Sequence, residues 1–184
     1  MLKRVLIANR GEIAVRIARA AAALGIESVS VHSAADARGL HTRVTTETRA
    51  IGGPAGDAVA PYLDMEALIA AAHAAGCDCV HPGYGFLAEN AAFARRCLAE
   101  GLTFVGPAPE ALELFGDKVR ARELAASLDV PTVAGSAGAL DTPEAAAEAA
   151  GAIGYPVMLK AAAGGGGRGV RRVAEPGELA EAFA

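Results

Sequence analysis

Short apolar runs alternate with longer segments whose apolar residues recur at helical spacing, and this alternation is what most restricts the fold. Strands are expected over residues 5–8, 28–32, 79–81 and 103–105, and helices over 12–24, 65–75 and 90–100. In the first helix Ile13, Ile17, Ala20 and Leu24 form the apolar stripe, and Gly25 takes the place of a left-handed cap. Asp64 stands where it can cap the second helix. Residues 36–49 read as a polar loop with one helical turn, and Ala50-Ile51-Gly52 as a short strand. Strands joined through helices by short turns argue for an α/β fold, a parallel sheet covered on both faces. Ligands on such sheets lie outside the carboxyl ends of the strands. Those ends carry Asn9-Arg10-Gly11-Glu12, His32-Ser33, His81-Pro82-Gly83-Tyr84-Gly85 and Gly106-Pro107, all rich in polar residues and glycine.

After Pro109 the pattern changes. Helices are expected over 110–115 and 117–128, broken at Gly116, and over 144–153. The apolar run Tyr155-Pro156-Val157-Met158-Leu159 then reads as a buried strand ending on Lys160. Ala161-Ala162-Ala163-Gly164-Gly165-Gly166-Gly167-Arg168-Gly169 follows, and then a second strand, Val170-Arg171-Arg172-Val173, and a helix over 176–183. A loop of consecutive glycines leaves its backbone N–H groups unshielded and able to wrap a polyphosphate. Lys160 adds a point charge for the same phosphates. The loop is neither a Walker A motif nor a dinucleotide fingerprint. A flexible linker is the alternative, disfavoured because linkers seldom hang between a strand lysine and another strand. This second part is short enough to be marginal alone, so the chain is expected to be a fragment, or one domain and the beginning of the next.

Composition excludes several classes. Lys and Arg number 17 against 21 Asp and Glu, a net charge of −4, which provides no broad basic footprint for nucleic acid or anionic membrane. No apolar stretch approaches the roughly 20 residues of a membrane helix. Met1-Leu2-Lys3-Arg4 runs directly into a strand rather than a signal sequence, so a cytoplasmic location is expected. The three cysteines, Cys77, Cys79 and Cys97, are an odd number and suit reduced thiols rather than a disulfide framework. Cys77 and Cys79 are expected on one face of a strand, and no second Cys/His pair completes a zinc site.

Three stretches in order carry a resemblance: Ile7-Ala8-Asn9-Arg10-Gly11-Glu12-Ile13-Ala14, then His81-Pro82-Gly83-Tyr84-Gly85-Phe86-Leu87-Ala88-Glu89-Asn90, then Gly116-Asp117-Lys118 ahead of the Lys160 loop. Together they closely resemble the biotin carboxylase component of biotin-dependent carboxylases, an ATP-grasp ligase family. The resemblance implies a Rossmann-like, pre-ATP-grasp domain over 1–115, a connector helix over 116–133 and an incomplete ATP-grasp lid over 134–184. It implies that ATP activates bicarbonate as carboxyphosphate and that CO2 passes to N1′ of a biotin held on a carrier domain. Magnesium or manganese would bridge the phosphates. Lid closure would exclude water from the labile intermediate.

Roles are implied position by position. Lys118, Lys160, Gly165, Gly166 and Gly167 correspond to ATP-binding residues, and Tyr84 and Gly85 to residues lining the biotin pocket. For Lys118 and Tyr84 the plain alternatives are a solvated helix lysine and an amphipathic ring closing the sheet end. Arg16 and Arg19 correspond to positions near the subunit interface of bacterial homodimers. The implied partners are a biotin carboxyl carrier and a carboxyltransferase, with a homodimer through the N-terminal domain. Ala161-Ala162-Ala163, Val170 and Ala88 depart from commoner residues and lean toward multidomain acyl-CoA or pyruvate carboxylases. The family's metal ligands, bicarbonate- and biotin-contacting arginines and general base correspond to no residue among these 184. No catalytic residue or metal ligand is therefore expected here, and the chain alone is expected not to carboxylate biotin. Two other readings remain: another ATP-grasp ligase such as carbamoyl-phosphate synthase, and a non-catalytic module for assembly or regulation.

Overall fold

β-Branched and leucine-rich runs suit strands buried on both faces, and here they build one all-parallel sheet. The structure is a computed structural model that describes residues 1–53, 57–136, 138–161 and 169–183. Five strands, β1 (Arg4–Ile7), β2 (Glu27–His32), β3 (Glu47–Ala50), β4 (Cys79–His81) and β5 (Thr103–Phe104), are ordered β3-β2-β1-β4-β5. Leu6 stands opposite Val29 on one side and Val80 on the other. The chain leaves β1 toward β2 and β3, then returns to place β4 on the far side of β1. The order thus reverses between β1 and β4, and a ligand crevice is expected there, at the carboxyl ends.

Alternation along the strands divides the core in two. Ile7 packs with Ala14, Ile17 and Ala18 of α1 (Gly11–Ala23), and Val5 and Cys79 pack with Ala21 of the same helix. Leu6, Val29, Val31 and Val80 point the other way, onto Leu68, Ile69 and Ala72 of α3 (Met65–Ala74) and Phe93, Ala94 and Cys97 of α4 (Ala91–Ala99). Side-chain caps start these helices as the sequence suggests: Asp64 Oδ1 accepts from Ala67 N at 3.0 Å and Asn90 Oδ1 from Phe93 N at 2.9 Å.

Four expectations need correction. The strand placed at residues 50–52 is β3 at Glu47–Ala50, and the polar loop before it holds α2 (His41–Val44) and a 3-10 turn at Ala34–Asp36. β3 is an edge strand, and an edge tolerates charge. Its Glu47 pairs with Arg4 and its Thr48 hydroxyl accepts from Ser30 Oγ at 3.0 Å, so no apolar run betrayed it. Cys77 and Cys79 do not share a face: Cys77 lies in the turn before β4 and joins the α3 cluster, while Cys79 joins the α1 cluster. Leu24 lies past the end of α1 and is 75% exposed; Ile17 is buried as expected, together with Ala14, Val15, Ala18 and Ala21.

The chain divides into two compact units, residues 1–113 and 114–184. α5 (Pro109–Gly116) crosses the boundary. In the second unit, Asp117 Oδ1 accepts from Val119 N at 2.9 Å and caps α6 (Lys118–Ser127), and Thr142 caps α7 (Pro143–Ile153). β6 (Val157–Lys160) pairs antiparallel with β7 (Val170–Val173), and α8 (Leu179–Phe183) follows. Ala146, Ala150, Val173 and Leu179 form its small core.

Candidate functional site

Asn9 is the first residue of the site and is 1% exposed. Its Nδ2 donates to the carbonyls of Pro82, at 2.7 Å, and Tyr84, at 2.9 Å, while its Oδ1 accepts from Arg10 N at 2.9 Å. A carboxamide offers two donors and an acceptor, and all are used here. Asn9 therefore ties the loop after β1 to the loop after β4, across the point where strand order reverses.

The β4 loop reaches this position because it lacks side chains where it crosses α1. Gly83 has φ +69°, and a Cβ there would lie 2.5 Å from Ile13 Cγ2 and 2.9 Å from Asn9 Nδ2. Gly85 also has φ +69°, but a Cβ there would meet nothing within 4 Å. Gly83 is thus glycine for want of space, and the face of Gly85 is open to an approaching ligand. Gly83 N donates to His81 Nδ1 at 3.0 Å, which leaves the ring proton on Nε2. Burial pushes the His81 pKa below its ordinary value, so the ring is neutral near pH 7. Tyr84 is 65% exposed, and its hydroxyl donates to the Glu12 carboxylate at the start of α1. That bond to an anion raises the phenol pKa. Glu12, Arg16, His81 and Tyr84 mark the polar end of a groove of about 600 Å³ that continues past Ile17 and Val105.

Beside this loop lies a second buried cluster. Tyr62 is fully buried; its hydroxyl donates to Asp36 Oδ2 at 2.9 Å and accepts from Ser33 N at 3.2 Å. Burial pushes its pKa up to about 12. Arg10 Nη1 stands 3.3 Å from Asp36 Oδ1. The Tyr62 ring stacks on Phe86 at 5.3 Å between centroids and 4° between planes. Neither Tyr62, Asp36 nor Phe86 stood out in the sequence as a site residue. Tyr62 follows a Gly/Pro-rich stretch with no periodicity, and only its aromatic character in a polar segment signalled it.

Each residue expected at a site has a definite place. Tyr84 and Gly85 lie on the β4 loop of the first unit, and Arg16 and Arg19 on the exposed side of α1. Lys160 ends β6 opposite Val170 with its side chain exposed, and Lys118 begins α6 after the Asp117 cap, also exposed. Gly165, Gly166 and Gly167 lie outside the described residues. Among the described residues no group of three His, Cys, Asp or Glu side chains stands close enough to hold a metal ion. Burial holds the thiols of Cys77, Cys79 and Cys97 at about 11, 12 and 11, unsuited to nucleophilic work.

Residues 1–112 match the family "Biotin carboxylase, N-terminal domain", and residues 117–184 match "Carbamoyl-phosphate synthase L chain, ATP binding domain". A biotin carboxylase of Pseudomonas aeruginosa is 53% identical over 97% of the chain, which spans 40% of that protein. A pyruvate carboxylase of Staphylococcus aureus is 48% identical over 99% of the chain, which spans 16% of it. Among solved structures, the biotin carboxylase–β-γ-ATP complex of Campylobacter jejuni superposes with a TM-score of 0.94 at 43% identity, covering all of this chain and 41% of that one. The biotin carboxylase domain dimer of Hydrogenobacter thermophilus 2-oxoglutarate carboxylase, with MgADP, ADP and bicarbonate, superposes with a TM-score of 0.93 at 45% identity, covering all of this chain and 40% of that one. No described helix is long and apolar enough to cross a membrane.

Proposed function

The chain belongs to the biotin carboxylase family, and we propose that it serves as the N-terminal part of an ATP- and bicarbonate-dependent ligase that carboxylates carrier-bound biotin. The observation that carries this reading is the β4 loop, which Asn9 holds at the sheet's switch point with Tyr84 and the open backbone of Gly85 facing outward. Tyr84 offers a ring and Gly85 an unshielded peptide to a flat ureido ring. The exposed ammonium of Lys160 and that of Lys118 offer charge to a nucleotide's phosphates, and Gly165, Gly166 and Gly167, which follow Lys160 in the sequence, are the proposed backbone donors. When bound, magnesium (or manganese) neutralises charge on those phosphates. In this reading its ligands and the general base belong to polypeptide outside these 184 residues. A carrier domain, a carboxyltransferase for an acyl-CoA or pyruvate, a dimer through the α1 side and a cytoplasmic location complete the proposal.

The carbamoyl-phosphate synthase match covers only the ATP-binding stretch, and the His81–Asn90 loop favours biotin over that substrate class. The test is a chimera in which this chain replaces the N-terminal 40% of the Pseudomonas aeruginosa relative. ATP hydrolysis that requires both bicarbonate and biotin is expected. A folded chimera that binds ATP yet shows no biotin-dependent hydrolysis would point instead to a non-catalytic module.

A further inference from the structure

Phe86 carries φ +42°, a left-handed conformation that disfavours any side chain with a Cβ. It directly follows Gly85, itself at φ +69°, so two consecutive positive-φ residues lie where the ligand-facing loop turns, and Phe86 is the one non-glycine at positive φ among the described residues of the first unit. Such a conformation persists only where its surroundings hold it. The Ala88 N–H to Gly85 O bond closes the turn around the Phe86 backbone, while the parallel stack on Tyr62 holds the Phe86 ring. Tyr62 cannot shift to follow it, because its hydroxyl is fixed at the other end by Asp36 Oδ2 and Ser33 N, and Arg10 lies 6.0 Å from its ring centroid while engaging the same Asp36. One buried phenol therefore connects the carboxyl ends of β1, β2 and β4. Asn9 pins the first half of the loop, at Pro82 and Tyr84; Tyr62 pins the second half, at Phe86.

We propose that Tyr62, anchored by Asp36, is a positioning residue that fixes the Tyr84–Gly85 turn for its ligand without touching that ligand. The proposal rests on the biotin reading only for the identity of the ligand. An aromatic pair of this kind shifts a local opening equilibrium by roughly 2- to 12-fold. Tyr62→Leu removes the stack and the hydroxyl; Tyr62→Phe keeps the stack; Phe86→Leu removes the stack from the loop side and covers the case in which Tyr62→Leu fails to fold.

Two measurements on the 184-residue chain separate the ideas. Amide hydrogen exchange at Ala88 and Asn90, whose N–H groups donate to Gly85 O and Leu87 O, reports the loop. In Tyr62→Leu and Phe86→Leu these amides are expected to exchange about 2- to 12-fold faster, with β2 amides unchanged and Tyr62→Phe nearer the parent. Uniform acceleration across the first unit, or parental exchange at Ala88 and Asn90 in both leucine variants, overturns the positioning role. Chemical-shift titration with free biotin reports the ligand: weaker binding in the leucine variants is expected, with Tyr62→Phe, which keeps the stack but loses the Asp36 anchor, falling between them and the parent. If Tyr84→Ala leaves biotin binding unchanged, the biotin reading fails while the exchange result still decides the role of Tyr62.

Discussion

Gly83 and Gly85 share a φ of +69° and differ in what surrounds them, so alanine at each separates conformational cost from collision. At Gly85 nothing lies within 4 Å of a new Cβ, and the expected loss is the left-handed cost alone, about 1–2 kcal/mol. At Gly83 the same cost applies, and the Cβ would also stand 2.5 Å from Ile13 Cγ2 and 2.9 Å from Asn9 Nδ2. Ile13 is β-branched and helical, so turning it aside costs about 1 kcal/mol. Displacing the Asn9 carboxamide weakens two buried hydrogen bonds at about 1 kcal/mol each. Gly83→Ala should therefore cost about 4–5 kcal/mol, some 3 kcal/mol more than Gly85→Ala. Urea unfolding followed by far-UV circular dichroism measures both; with a slope of about 1–3 kcal/mol per molar, the midpoints should differ by about 1 M or more. Asn9→Ala should cost less in the Gly83→Ala background than in the parent, because the two changes share one contact. Equal destabilisation by the two glycine variants would refute the close crossing of the β4 loop over α1.

Four further outcomes follow from the same geometry. Stability should fall in base, because burial raises Tyr62 from 10 to about 12 and the three thiols from 9 to about 11–12; their protonated forms favour the folded state fully below about pH 9, and that advantage is lost as pH rises through 9–12, as thermal melts across this range would show. It should also fall in mild acid, because burial depresses His41 and His81 below 6.5, so their contribution is complete above 6.5 and is lost as pH drops beneath it. Asn90→Ala removes the α4 cap and should cost about 0.5–2 kcal/mol in the same urea assay. Glu12→Ala should move the Tyr84 phenol titration down in the ultraviolet while leaving that of Tyr62 high.

The central strands and their helices were legible because burial on both faces concentrates apolar residues. Leu6, Val29, Val31 and Val80 announce β1, β2 and β4, and Asp64 and Asn90 mark the helix starts by the chemistry of their caps. β3 was misplaced because an edge strand built on Glu47, Thr48 and Arg49 is held by ion pairs and hydroxyls, which leave no period of two in hydropathy. The contrast between Gly83 and Gly85 could not be read in advance either, since both are glycines in one motif and only the packing of Ile13 distinguishes them. Asn9 appeared in a quoted motif, yet its two long-range bonds join residues 73 and 75 positions away. Tyr62 is further still from any pattern: its role exists only where three strand ends meet.

The assignment of biotin to the β4 loop and nucleotide to the lysines is tested most directly by steady-state kinetics of the chimera with Tyr84→Ala. The KM for biotin should rise severalfold with the KM for ATP unchanged, while Lys160→Gln should do the reverse. A Tyr84→Ala chimera whose KM for ATP rises and whose KM for biotin stays at the parental value would contradict the account.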